Sequence, residues 1–267
     1  MIMAVRKASK ASGLADYRAK RNFATSPEPE GKPQPNQAEK AGQRIFCVQK
    51  HLASHLHYDF RLEHNGALLS WAVPKGPSLN PKDKRLAMRV EDHPRDYADF
   101  EGVIPEGYGA GIVMLWDKGT WTPEPGFEDV DSALVNGELK FRIDGVKLKG
   151  GWVLVRTHSD GYPEGRTWLL IKHRDEWAGD VDVTKAAPDS VKSFGDFAAI
   201  LAKHQVKVWP SHRPGRSGAA GKMLASIIEQ AAGLTAARKP AKRPKRSKTS
   251  IKRPAGSNGN GSSRPKH

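Results

Sequence analysis

Between Arg44 and about Trp177 the chain breaks into eight short runs rich in β-branched and aromatic residues: "RIFCVQKH", "HLHYDFRL", "ALLSWAV", "RLAMRVE", "GIVMLWDKGTW", "ELKFRID", "GWVLVRT" and "TWLLIKH". Gly, Pro and Asn punctuate the gaps, so the runs read as strands joined by turns. Evenly spaced strands of this length shield their edges best by closing on themselves. The expected fold class is therefore mainly β with flanking helices (α+β), a single closed or nearly closed antiparallel β-barrel. "SVKSFGDFAAILAKH" has a helical pattern weakened by Gly195 and is expected to pack on one end of the barrel. "LADYRAKRNF" has room for one or two helical turns before "TSPEPEGKPQP" breaks it, and "GKMLASIIEQAAGL" reads as a short amphipathic helix within a linker.

Charge separates these parts. The formal net charge is +15, and the 16 Lys/Arg against one acid, Glu229, from Ala202 onward account for all of it. Residues 1–201 balance to zero. "RKPAKRPKRSKTSIKRP" has too little apolar content to fold and too much like charge to collapse, so 205–267 is expected to be a low-complexity, largely disordered basic tail. Residues 1–16 read as a disordered leader rather than a transit peptide. No apolar run is long enough to span a bilayer, so no membrane partner is expected. The single Cys47 excludes an internal disulfide framework and suits a reducing compartment.

The run "HLHYDFRLEHNGALLSW" carries the chemistry. With strand period two, Leu56, Tyr58, Phe60 and Leu62 share one face, while His55, His57, Asp59 and Arg61 share the other. Asn65-Gly66 signals a two-residue type I′ hairpin. That turn sets Tyr58 opposite Val73, Phe60 opposite Trp71 and Leu62 opposite Leu69, a good core face. On the other face Arg61 meets Ser70, Asp59 meets Ala72 and His57 meets Pro74, small partners that leave room for a ligand. Two imidazoles and a carboxylate suit a divalent metal, with His57 and Asp59 in reach of one ion and His51 or His55 as third donor. Arg61 follows, where its planar fork suits a phosphate oxygen. The bland alternative is a solvated polar face, which accounts for one histidine better than for His, His, Asp and Arg together. The H-x-H-x-D-H pattern of metallo-β-lactamase-type hydrolases is excluded, because Phe60 stands where its last histidine is needed.

A second polar set lies downstream: Lys75 between Pro74 and Gly76, then Arg85, Glu91, His93 and Tyr97. Alternation in "RLAMRVEDH" places Arg85, Ala87, Arg89, Glu91 and His93 on one face. "IPEGYGAG" lacks the spacing of a phosphate loop and reads as a tight barrel turn. "FRIDG" has Arg142 where a nucleotidyl transferase needs lysine, and a guanidinium cannot form the lysyl-nucleotide bond.

Together, "FCVQKHLASHLHYDFRLEHNGALLSWAVPKGPSLNP", "RLAMRVEDHPRDYADFEGVIPEGYGAG" and "VMLWDKGTW" resemble the 3′-phosphoesterase module of bacterial DNA ligase D, over roughly residues 17–204. The resemblance implies a Mn²⁺-dependent hydrolase (Co²⁺ or Zn²⁺ also fit the donors) that removes a 3′-terminal ribonucleoside and then the 3′-phosphate. It implies His51, His57 and Asp59 as metal ligands, Arg61 and His93 at the scissile phosphate with Tyr97 beside them, and Gln49, Lys75, Arg85, Glu91 and Glu28 as supporting or strand-binding residues. It leaves His55 without a role. The family's leader reads K-R-D-F, so Asn22 in "KRNF" departs from it and one of the two activities comes into question. DNA 3′ ends, Ku and a ligase of the same system are the implied partners, with a monomer in the bacterial cytoplasm, near the nucleoid, as the implied state. Two rival readings are a non-catalytic DNA-binding accessory protein, which the basic tail favours, and a cupin-like metalloenzyme, which predicts neither Arg61 nor the tail.

Overall fold

The computed structural model describes residues 14–31, 44–157, 165–204 and 218–237. All eight runs become barrel strands: β1 (Arg44–Leu52), β2 (Leu56–His64), β3 (Ala67–Val73), β4 (Arg85–Arg89), β7 (Gly111–Pro123), β8 (Glu138–Gly145), β9 (Lys149–Arg156) and β10 (Thr167–Lys172). They pair antiparallel in the order β1-β2-β3-β4-β10-β9-β8-β7, and β7 pairs back onto β1, closing an eight-stranded barrel. Two strands too short to register as a sequence pattern, β5 (His93–Pro94) and β6 (Gly102–Ile104), complete it. β5 pairs with Ala67 and Leu68 of β3, beyond the part of that edge that β4 uses. β6 does the same on β7 beside β8.

The Asn65-Gly66 turn sets the β2–β3 register as expected. Both residues have positive φ, 51° and 80°, as a type I′ turn requires. Tyr58 faces Val73, Asp59 faces Ala72, Phe60 faces Trp71 and Arg61 faces Ser70. Tyr58, Phe60, Leu62, Leu69, Trp71 and Val73 then join the main core with Trp116, Trp121, Trp152 and Trp168. The alternate residues of the same strands point outward, where a second, smaller apolar cluster of Tyr17, Cys47, Leu68, Tyr97, Ala98 and Leu115 covers the wall. Burial pushes the Cys47 thiol up to about 12, so this lone cysteine is a packing residue rather than a nucleophile.

The cover consists of α1 (Ala15–Ala19) with the chain that follows it to Gly31, and a 3₁₀ turn over Arg95–Asp99. Two short helices, α2 (Val130–Asn136) and α3 (Val183–Ala186), are capped by the Asp129 and Asp182 side chains. α4 (Phe197–His204) begins only after Gly195, with the Asp196 carboxylate accepting from the Ala199 N–H, and lies against β6 and β7. α5 (Gly218–Ala237) runs longer than the linker helix expected from sequence and packs on α4, burying Leu224, Ile227 and Ala231. The rest of 205–267 and residues 1–13 of the leader lie outside the described residues. Among the described residues no helix is long and apolar enough to cross a membrane.

Two expectations from alternation need correction. β2 begins at Leu56, so His55 lies in the exposed bend after β1 and does not share the face of His57. The alternation of "RLAMRVEDH" also stops at Arg89: Ala87 belongs to the main core, whereas His93 starts again on β5 and sits under the outer cover. Both errors come from extending a period across a point where the chain leaves its strand.

Candidate active site

The β1–β2 ladder sets His51 opposite His57, Gln49 opposite Asp59 and Cys47 opposite Arg61, all on the outward face. The two imidazole centroids are 4.8 Å apart. His51 Nδ1 lies 3.7 Å from Asp59 Oδ2, and His57 Nε2 lies 3.6 Å from Asp59 Oδ1. One donor atom from each residue falls within 4.8 Å of the others.

These donors fit a small divalent ion. Bonds of about 2.1 Å at tetrahedral or octahedral angles place donors roughly 3.0–3.5 Å apart; the two His–Asp distances lie a few tenths of an ångström outside that range, and the widest separation, up to 4.8 Å, would close by about 1 Å around an ion. The unused ring nitrogens are also committed correctly. His51 Nε2–H donates to the Gly109 carbonyl (2.9 Å) and His57 Nδ1–H to the His55 carbonyl (3.0 Å), so His51 Nδ1 and His57 Nε2 keep lone pairs aimed at Asp59. His55 thus contributes a backbone oxygen that holds the His57 tautomer, a role its side chain does not enter. Protonation favours ligation too. Burial lowers the His57 pKa, against the pull of Asp59, and keeps the ring neutral. Burial opposes ionisation of Asp59, but the Arg61 guanidinium 3.1 Å away outweighs it and holds the carboxyl well below the usual carboxylate range. His57 remains partly open to solvent, which leaves an entry path.

Arg61 is buried and tied three ways: Nε donates to Gln49 Oε1 (2.8 Å), Nη1 to Ser70 Oγ (2.8 Å) and Nη2 to Asp59 Oδ2 (3.1 Å). Gln49 is itself oriented by donating to the carbonyls of Tyr97 and Phe100, and the Tyr97 ring lies 4.9 Å from the guanidinium carbon. A guanidinium carries five N–H groups, so two remain for a ligand oxygen.

His93 sits behind this group, its Nδ1 2.9 Å from the Glu91 carbonyl and its Nε2 3.2 Å from Arg21 Nη2. Arginine can only donate, so Nε2 accepts and the proton is on Nδ1. Burial, then the charges of Arg61 and Arg21, push the His93 pKa well below its ordinary value, which agrees with a neutral ring.

Arg21 ties the remaining residues together, and sequence reading overlooked it. It donates to Glu28 (2.8 Å) and Glu91 (3.3 Å), touches His93 and stacks 3.9 Å over Tyr17. Glu28 also accepts from the Tyr97 hydroxyl (3.0 Å) and Ser26, and Glu91 from Lys20 (2.9 Å). A basic residue in a polar leader carries no local signal; its partners lie up to 72 residues away. Lys75 and Arg85 are not joined to this group. Lys75 stands exposed in the turn after β3, and Arg85 on β4 donates to Asp83 (2.9 Å). Asn22 is exposed, and its side chain accepts from the Ala24 N–H (3.1 Å).

Fold and donor set define a β-barrel protein with a candidate divalent-metal centre, backed by a buried arginine, on its outer wall. Residues 49–156 match the family model described as the DNA Ligase D 3′-phosphoesterase domain. The chain is 48% identical over 231 residues to the multifunctional non-homologous end joining protein LigD of Pseudomonas aeruginosa, an alignment covering 81% of this chain and 26% of that protein. It is 41% identical over 195 residues to the protein of the same name from Mycobacterium bovis, covering 73% and 23%. The chain belongs to the DNA ligase D 3′-phosphoesterase family, and it spans about a quarter of the length of these curated relatives.

Proposed function

We propose that this protein is a divalent-metal-dependent phosphoesterase that trims the 3′ ends of DNA strands, removing a terminal ribonucleoside and then the 3′-phosphate, in the service of non-homologous end joining. The single observation that carries this reading is the His51, His57 and Asp59 donor set lying directly against an arginine with two uncommitted N–H groups. A His₂Asp shell accepts Mn²⁺, Co²⁺ or Zn²⁺, and we take Mn²⁺ as the working ion. When bound, such an ion supplies Lewis-acid polarisation of a phosphate oxygen and activates water.

The chain's own residues do the rest. Arg61, held in plane by Gln49, Ser70 and Asp59, presents fixed N–H donors where negative charge grows on the phosphate oxygens. The Tyr97 ring beside Arg61 and the Tyr97 backbone, through Gln49, keep that fork from turning. His93, neutral with its lone pair on Arg21, acts as an acceptor that positions Arg21; two nearby guanidinium groups oppose the protonated form an acid catalyst would need. Glu28 and Glu91 hold Arg21 in place. Lys75 and Arg85 are assigned to the approaching strand rather than to the reacting phosphate. Ku and a ligase of the same system are the proposed partners.

The test is a metal series on a primer–template ending in one ribonucleotide, scoring 3′-phosphate and 3′-hydroxyl products separately. Both products should form with Mn²⁺, and neither with Asp59→Ala protein that remains folded. Absence of cleavage by the parent chain with every metal, with DNA binding intact, would make it a binding accessory instead. Full turnover by Asp59→Ala would remove the metal assignment.

A further inference from the structure

Beside the site lies a cleft of 520 Å³ between the chain from Ala19 to Glu28 and the β6–β7 loop. That volume falls within the range of small-ligand pockets, about 300–1,000 Å³. The cleft is coupled to the site at two points. Arg21, in its wall, bonds His93, and Gly109, next to the lining residue Tyr108, accepts from His51.

Its chemistry differs from that of the site. Lys20 and Arg21 are both paired with Glu91, Arg21 also with Glu28, and Glu106 adds a further carboxylate to the lining. A cleft with its cations already paired is a poor host for a phosphate, which Arg61 serves better. It is a good host for a neutral group with a π face and hydrogen-bonding edges. Tyr108 offers the matching surface: the residue is 51% exposed, with the Lys20 ammonium 4.9 Å from the ring centroid. Asn22, Thr25 and Ser26 add amide and hydroxyl groups around it. Exposed aromatic rings flanked by cations are how proteins hold unpaired bases without regard to sequence.

We propose that this cleft receives the 3′-terminal nucleoside of the strand, with Tyr108 as the platform on which its base stacks. The inference rests on the phosphoesterase reading above and names which part of the substrate lies where. Tyr108 is a substrate-positioning residue rather than a catalytic one.

The experiment uses the full chain and a DNA primer–template whose 3′-terminal base is 2-aminopurine, with chelator present so that binding is read without turnover. Emission from that base reports stacking at the end itself and is blind to contacts made by the basic tail. The parent protein should quench it, Tyr108→Phe and Tyr108→Trp should quench it as well, and Tyr108→Ala should not. Titration of the same end should show about tenfold weaker binding by Tyr108→Ala. A primer with an abasic 3′ end should bind the parent and Tyr108→Ala alike. Equal quenching by the parent and Tyr108→Ala, or an equal loss on the abasic end, would overturn the stacking role while leaving cleavage by the parent intact. A parent protein that neither binds nor cleaves any 3′ end would overturn this inference together with the function it rests on.

Discussion

Replacing Arg61 by methionine tests how far the arginine organises the buried carboxylate beside it. The change deletes three hydrogen bonds, to Gln49, Ser70 and Asp59, and leaves Asp59 8% exposed without its cation. Removing one partner of a buried pair costs about 3–5 kcal/mol, because the other charge stays behind. In a domain of this size that lowers Tm by roughly 10 °C. The sign with pH follows from Asp59. Its pKa is depressed in the fold, so its contribution is present above the ordinary value of 3.8 and is lost as pH falls through the folded value. Without Arg61, burial of Asp59 meets no permanent cation and the carboxyl titrates upward. The stability deficit of Arg61→Met should therefore be largest near neutral pH and shrink toward pH 4. Denaturant unfolding in chelator at both pH values measures this, and a cycle with Asp59→Asn isolates the pair. We expect a coupling of about 2 kcal/mol. A coupling within about 0.5 kcal/mol, with a deficit that ignores pH, would refute the argument.

Four further outcomes can be tested. His93 should remain neutral as pH falls through 6.5, and since its pKa is lowered, the parent should lose stability below 6.5 more steeply than His93→Gln; an NMR titration placing His93 at its ordinary value would contradict this. Arg21→Met should free the chain over residues 14–31 from the barrel wall, read as faster amide exchange there with the β2–β3 hairpin still protected, because Glu28 and Glu91 both lose their buried partner. Deleting residues 238–267, which carry 11 Lys/Arg and no acid, should flatten the salt dependence of DNA binding with Tm unchanged. Deleting from residue 205 should also lower Tm, since it strips α5 from α4; equal melting of the two truncations would show that this packing contributes nothing.

The barrel was legible because its signals are local. Each strand announces itself by period-two alternation and turn chemistry, and Asn65-Gly66 alone sets the register that puts Asp59 opposite Ala72 and Arg61 opposite Ser70. β5 and β6 escaped notice because two or three residues carry no period, and each forms only because a neighbouring strand leaves part of an edge free. The same limit misled the alternation at its ends: His55 keeps the period on paper but lies in a bend, where only its carbonyl matters.

What the amino-acid sequence by itself determined was the eight barrel strands, the hairpin register and the spacing of His57, Asp59 and Arg61 along one strand face. These follow from steric rules that act over a few residues. Tertiary structure alone decided that this polar face would be buried under a cover from elsewhere in the chain. It also decided that His51 rather than His55 would stand across from His57, and that Arg21 would join Glu28, Glu91 and His93 into one network. The place of His51 follows from where the β1–β2 hairpin turns, whereas the cover and the Arg21 network depend on groups far apart in the chain meeting across the barrel wall, where a low-dielectric setting makes every unpaired charge costly and so selects the one arrangement that pairs them.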